Sequence, residues 1–198
     1  MKQRLLAFFT GVTLLCNTVL TASPVLAKSE ENKEAPKGNT YYVSTIDGKD
    51  SNSGLSDNQA LYSLKALSKK NLGPGDHVYL ERGSQFNNDY LHLYEVSGSE
   101  DAPIVIDAYG EGALPVINTN GEGVWFQNYG KSLDNPNHRS SGYVSSSILL
   151  YDCAYIEVQN IAMTNRQLDI DAVYNDIDAM NRTGVAVVAQ NKGTLNHI

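Results

Sequence analysis

The sequence predicts an all-β domain wound as a coil of short parallel strands and closed at one end by a short helix. Three observations carry this reading. Beyond Gly83, short apolar and β-branched runs recur while helical periodicity does not. These runs end at Gly or Asn corners, and no Asn-Gly pair flanked by matched alternation stands out apart from Asn120-Gly121, which disfavours a hairpin sandwich. Finally, Val158-Gln-Asn-Ile161 reads as a strand, an Asn corner and a second strand at once. Parallel coils join their strands this way.

The elements follow in order. Lys2 and Arg4 form a basic start, residues 5–20 are mostly apolar, and Val25-Leu26-Ala27 places small residues before a cleavage site. This is the pattern of a secretory signal peptide cut after Ala27. Thr10, Thr13, Asn17 and Thr18 interrupt the run, so it falls short of the roughly 18 apolar residues a membrane span needs. The mature chain is therefore expected outside the cell and free of the membrane. Residues 28–40 (KSEENKEAPKGNT) have no large apolar side chain to bury and read as a disordered linker.

The domain spans residues 41–198 and opens with the aromatic strand Tyr41-Tyr-Val-Ser44. The polar run from Asp47 to Gly54 is rich in residues that bond their own backbone and favour turns. A calcium loop of EF-hand type fails there, because the twelfth position from Asp47 is Asn58 and not Glu. Residues 63–71 form the single predicted helix: Ser63 caps it, Leu64 and Leu67 share a face, and Lys69 and Lys70 suit its C-terminal end. Gly73-Pro-Gly-Asp76 is a turn in which Pro74 sets the first central φ and Gly75 supplies the positive φ that follows. Val78 and Leu80 then alternate with His77, Tyr79 and Glu81 as a half-buried strand ended by Gly83.

Further strands are expected at 103–109, 114–117, 124–126, 147–151, 155–165 and 184–189. Taking Val78, Val105, Leu149 and Val187 as equivalent strand centres gives spacings of 27, 44 and 38 residues, compatible with coil turns of unequal loop length. Cys153, the sole cysteine after cleavage, lies among strand residues and reads as a buried thiol, so no intrachain disulfide staples the domain.

Composition bounds the partners. The formal net charge is −7, and removing Lys2 and Arg4 with the signal peptide makes the chain more acidic still. Such a chain is poorly suited to binding phosphate backbones through counterion release, which argues against nucleic acid. Nothing in the sequence implies an oligomer.

The segments Tyr41-Tyr-Val-Ser44, Asp47 to Gly54, Leu64-Lys-Ala-Leu67, Leu72 to Gly83 and Tyr155 to Asn165 together resemble the start of secreted right-handed parallel β-helix proteins of the pectate-lyase-like superfamily. The resemblance implies a right-handed parallel β-helix with an N-terminal capping helix. It departs at Ala60-Leu-Tyr-Ser63, where Pro-Phe-x-Thr is expected. Members of that superfamily continue through more coils, and Asn196-His-Ile198 looks like the beginning of another strand, so the chain is expected to be an N-terminal fragment.

Two loops are long enough to build a groove. Residues 127–146 carry Tyr129, Lys131, His138, Arg139 and Tyr143 and follow Trp125 and Phe126. Rings stack on sugar faces and Arg pairs with uronate carboxylates, so Trp125, Tyr129, Arg139 and Tyr143 are candidates for polysaccharide binding. Residues 166–182 hold Asp169, Asp171, Asp176 and Asp178 between Arg166 and Arg182. Clustered carboxylates suit Ca²⁺, making these four aspartates candidate calcium ligands. In calcium-dependent lyases of the superfamily the metal acidifies a proton beside a uronate carboxylate, and Lys or Arg removes it. The resemblance thus implies β-elimination, with Arg166 and Arg182 as candidate bases. The alternatives are glycoside hydrolysis by a pair of Asp and a non-catalytic carbohydrate-binding protein. No Gly-x-Ser-x-Gly, His-Glu-x-x-His or phosphate loop occurs, and no organic cofactor is expected.

Overall fold

Ser63 starts the helix as its composition demands. Its side chain accepts from the Ala66 N–H at 3.0 Å, and helix α1 (Leu64–Leu67) follows with Leu64 and Leu67 fully buried. The helix is shorter than predicted. The Ser68 hydroxyl turns back to the Leu64 carbonyl at 3.0 Å, and such local bonds compete with helix continuation. Asp89, from a distant segment, receives the Leu64 and Lys65 N–H groups at 2.7 and 3.3 Å.

In this computed structural model residues 36–133, 140–165 and 181–198 are described, all within the unit Glu34–Ile198. The strands are β1 (Thr40–Val43), β2 (His77–Glu81), β3 (Gln85–Asn87), β4 (Leu91–Tyr94), β5 (Ile104–Tyr109), β6 (Val116–Asn118), β7 (Val124–Asn128), β8 (Ser141–Tyr151), β9 (Ile156–Val158), β10 (Ala162–Thr164) and β11 (Asn181–Val188). Among the described residues the chain is all-β apart from α1 and two short 3₁₀ turns.

Three sheets result: β1-β2-β5-β9, β3-β6-β10 and β4-β8-β11. Every strand pair within them is parallel, and the chain passes from first to second to third sheet before returning to the first. Parallel strands cannot be joined by tight hairpins, so corners carry the connections. Asn88, Asn120 and Asn160 occupy such corners at φ of 56°, 52° and 55°, a region Asn tolerates better than most residues. Asn120 Nδ2 donates to Asn88 Oδ1 at 3.0 Å, so the two corners stack. The turn before β2 forms as predicted: Gly75 has φ of 81°, and the Asp76 N–H reaches the Gly73 carbonyl at 3.1 Å.

The core lies among the three sheets. Val43, Val78, Leu80, Ile104, Ile106 and Ile156 meet Phe86 and Ile117 of the second sheet and Leu91, Leu93, Ile148 and Leu150 of the third. Each fully buried Leu or Ile contributes roughly 1.5–3 kcal/mol. Cys153 is buried among them, and burial, the leading influence, pushes its thiol above the ordinary range.

Two expectations need correction. Val78 and Val105 belong to the first sheet, whereas Leu149 and Val187 belong to the third, so the four are not equivalent centres. In addition, residues 127–146 are not a simple loop, because β7 and the first part of β8 pair antiparallel within that stretch.

The layers are unequally covered. Val185 and Val187 align with the fully buried Ile148 and Leu150, yet stand 42% and 44% exposed. Val158, Ile161 and Met163 pack beside the core but are only partly buried. Among the described strands β9, β10 and β11 come last in the three sheet orders, and the Asn196 and His197 carbonyls accept from the Tyr155 and Ile156 N–H groups at the start of β9.

Candidate functional site

The ribbon of β7 and β8 sorts its aromatic residues by face. In register, Trp125 lies opposite Val144, Phe126 opposite Tyr143, and Asn128 opposite Ser141. Trp125 and Val144 turn inward onto Leu149, Tyr151, Ala186 and Val188. Phe126 and Tyr143 point the other way, 53% and 63% exposed, with ring centroids 5.2 Å apart in an edge-on contact. This cross-strand pair is the largest aromatic surface of the ribbon. Tyr129, 42% exposed, continues it at the ribbon's end, where its N–H bonds the Ser140 carbonyl.

Beneath the ribbon runs a chain of rings. Tyr90 lies 4.4 Å from His92, His92 lies 6.4 Å from Tyr94, Tyr94 is 5.5 Å from Tyr151, and Tyr151 is 6.4 Å from Trp125. The alternation in Tyr90-Leu-His-Leu-Tyr94 explains it: Leu91 and Leu93 enter the core, which puts the three rings on the opposite face. Lys65 Nζ covers the far end, 4.9 Å from the Tyr90 ring centre. His92 Nε2 lies 3.0 Å from the Ser146 carbonyl, which can only accept, so this nitrogen carries the proton. Burial holds His92 below the ordinary imidazole range, outweighing the upward pull of that carbonyl. Burial, and then Tyr90 and Tyr151, raise Tyr94.

A polar corner supports the ribbon. Ser145, Ser146 and Ser147 are all buried and all bonded. Ser145 donates to the Glu122 carbonyl at 2.5 Å, and Ser147 donates to the Thr164 carbonyl at 3.1 Å. Ser146 Oγ receives the Trp125 Nε1–H at 2.8 Å and lies 2.8 Å from Thr183 Oγ1. Arg182 sits at the outer edge, with Nη1 donating to the Asn165 carbonyl at 3.4 Å. Buried polar groups without such partners cost about 1–3 kcal/mol each, so the network fixes the ribbon's position.

The sequence-derived candidates divide accordingly. Tyr129 and Tyr143 are exposed on the ribbon, and Arg182 lies at its supporting corner. Trp125 was expected to stack on sugar, but at 8% exposure its ring is a core member with its one donor already used. Arg139, Arg166, Asp169, Asp171, Asp176 and Asp178 lie outside the described residues. Among the described residues no group of three His, Cys, Asp or Glu is placed to hold a metal ion. Sequence reasoning passed over Tyr90, His92, Tyr94 and Tyr151, although the period-2 pattern of residues 90–94 was a usable signal.

A ring-lined ribbon of this kind suits the flat, weakly polar faces of sugars, and the proteins to which the chain is similar are glycoside hydrolases. It is 51% identical to the crystal structure of a GH136 lacto-N-biosidase from Eubacterium ramulus, solved as native protein and as selenomethionine derivative. The TM-score is 0.74 in each case, over 81% of this chain and 26% of that one. It is also 37% identical, over 218 residues, to a lacto-N-biosidase from Bifidobacterium longum subsp. longum. That match takes in 97% of this chain and 13% of the relative, so the chain spans about an eighth of the curated relative and about a quarter of the solved structures. No family model matches. These relatives overturn two expectations: the resemblance to the pectate-lyase-like superfamily, and the lyase reaction that it implied. Polar corners between short parallel strands recur in proteins of unrelated chemistry, so they carried no information about the reaction.

Proposed function

We propose that this chain is the N-terminal part of a secreted glycoside hydrolase of the GH136 lacto-N-biosidase type, with the β7–β8 ribbon as part of its sugar-binding wall. The observation that carries this is the 51% identity to the Eubacterium ramulus enzyme at a TM-score of 0.74. The substrate of this reading is a lacto-N-bioside. Phe126, Tyr143 and Tyr129 stack on it, and Arg182 lies at the foot of the ribbon.

In the same reading the three parallel sheets are the first coils of a right-handed parallel β-helix. The repeated passage from sheet to sheet supports it, as does the stacking of Asn88 under Asn120. Further coils then cover Val158, Met163, Val185 and Val187, whose partial exposure suits a continuing core. Hydrolysis needs two carboxylates, separated by about 5–5.5 Å for retention or about 6.5–9.5 Å for inversion. Asp169, Asp171, Asp176 and Asp178 stand in sequence between Asn165 and Arg182, both held at the polar corner, and are this chain's candidates for acid, base or Ca²⁺ ligation.

A chimera tests the proposal. Residues 36–198 replace the matching stretch of the Eubacterium ramulus enzyme, and release of lacto-N-biose from an aryl lacto-N-bioside is followed. Retained hydrolysis supports the reading. A folded chimera that binds but does not hydrolyse, while the parent does, counts against it.

A further inference from the structure

The outer face of the first sheet carries a second set of rings, on a different sheet from the ribbon. Tyr42 of β1 lies in register with Tyr79 of β2, and Tyr79 with Asp107 of β5. Tyr42 stands 5.9 Å from Tyr79 and 5.2 Å, edge-on, from Tyr109, while His77 stands 5.9 Å from Tyr79. All four side chains are half-buried, alternating with Val78 and Leu80, which fill the core. The edge-on and tilted contacts fix the rings before any ligand arrives, so little rotamer freedom remains to be lost on binding.

Acidic groups edge this strip. Glu81 accepts from the Ser44 hydroxyl and bonds the Tyr109 hydroxyl. Burial, then the charges of Glu81 and Asp57, keep Tyr109 protonated well above the ordinary phenol range. Asp107 Oδ1 accepts from the Ala108 N–H at 2.6 Å and from Asn160 Nδ2 at 2.8 Å. Glu157 is exposed in register with Val105. Arg82, next in sequence to Glu81, is turned to the Gly112 carbonyl at 3.4 Å. Fixed rings with carboxylate acceptors and a negative field suit a sugar that donates hydroxyls and has no charge. A uronate is repelled there.

We propose that the outer face of the first sheet is a second saccharide-binding platform, selective for neutral sugars, on which Tyr42 and Tyr79 stack the ring while Glu81 and Asp107 accept its hydroxyls. It rests on the carbohydrate reading given above, but on a separate face. The test is amide NMR of the full chain titrated with lacto-N-biose and, in parallel, with digalacturonate. Shift changes at Tyr42, Tyr79 and Tyr109 are expected with the neutral sugar alone. Tyr79→Ala weakens that response at least tenfold, Tyr79→Phe keeps it within about twofold, and Phe126→Ala with Tyr143→Ala leaves it unchanged. Equal response to digalacturonate overturns the proposal. So do changes confined to the ribbon, an outcome that leaves the glycosidase reading standing. No response at the first sheet also overturns it, and the chimera then decides the hydrolase reading independently. The wild-type map remains decisive even if Tyr79→Ala does not fold.

Discussion

Asn165 Nδ2 donates to both the carbonyl and the hydroxyl of Ser145, at 2.9 and 2.8 Å, while its Oδ1 receives the Gly121 N–H at 2.8 Å. One amide thus ties the end of β10 to β8 and to the corner after β6. Asn165→Leu removes the acceptor of the Gly121 N–H and a donor to both Ser145 oxygens, although the Ser145 hydroxyl keeps its bond to the Glu122 carbonyl, and a loss of about 1–3 kcal/mol is expected. Urea unfolding followed by circular dichroism measures it. Asn165→Asp keeps the acceptor for Gly121 and is expected to fall between wild type and the Leu variant.

Gly123 holds the base of the ribbon against the third sheet. It has φ of 59°, and an added Cβ would lie 2.8 Å from the Tyr90 ring and 2.9 Å from the Ser146 carbonyl. Gly123→Ala combines backbone strain with a steric clash, and a loss of about 1–3 kcal/mol is expected. The Tyr90 and His92 ring signals should shift with it. An Ala variant as stable as wild type would show that the ribbon is not seated there.

His92 is held neutral by burial, against the pull of the Ser146 carbonyl. Its folded value lies below its unfolded one, so its contribution to stability is present above the ordinary imidazole range and lost as pH falls through the folded value. An NMR titration of His92 is expected to show a midpoint below about 6.5. His92→Gln should lessen the loss of stability on acidification through that range.

Asp152 behaves in the same sense at lower pH. Burial raises it, but the backbone N–H groups of Asn191, Lys192 and Gln190 together with the Asn191 side chain win, and the carboxyl lies below its ordinary range. The stability it supplies is present above the ordinary carboxylate value and disappears as pH falls through the depressed one. Asp152→Asn is therefore expected to lower the melting temperature at pH 7, and the gap should close in acid. A gap that persists in acid would locate the effect in packing instead of charge.

Calcium is tested by removal. If the aspartates between Arg166 and Arg182 hold the ion, adding Ca²⁺ raises the melting temperature and EDTA reverses it. Asp169→Ala with Asp171→Ala abolishes the rise. An undiminished rise in the double variant would rule out those two ligands.

The fold was legible where one residue type has one physical use. Ser63 capped its helix, Gly75 took the positive φ of its turn, and Asn160 made the corner between β9 and β10. Strands β3 and β4 escaped notice because they are short and the residues between them, such as Asn88 and Asp89, look like loop. The ribbon's second strand was read only from Ser147 because Gly142, Ser145 and Ser146 carry little strand propensity, and only pairing with β7 and burial against the third sheet reveals its first half. Pairing is a non-local fact. The same reason defeated the choice of equivalent strand centres: each sheet receives its own strands at its own intervals, so a single period does not exist. The candidate site was legible in its residue types, yet Trp125 and Tyr143, one residue apart in register, were sorted to opposite faces by the ribbon's alternation.

The pairing pattern also bears on how such a chain reaches its native state. Val43 waits for Leu80, Phe86 for Ile117, and Leu93 for Leu150. As residues emerge one after another, a strand has no sheet partner until tens of residues later, and each closure spends chain entropy before any hydrogen bond repays it. The β7–β8 ribbon is the one antiparallel, comparatively local pair among the described strands. It is thus positioned to form early and to act as a nucleus for the third sheet. Assembly of this domain should be slow, directional and sensitive to ribbon substitutions in its rate as well as in its equilibrium.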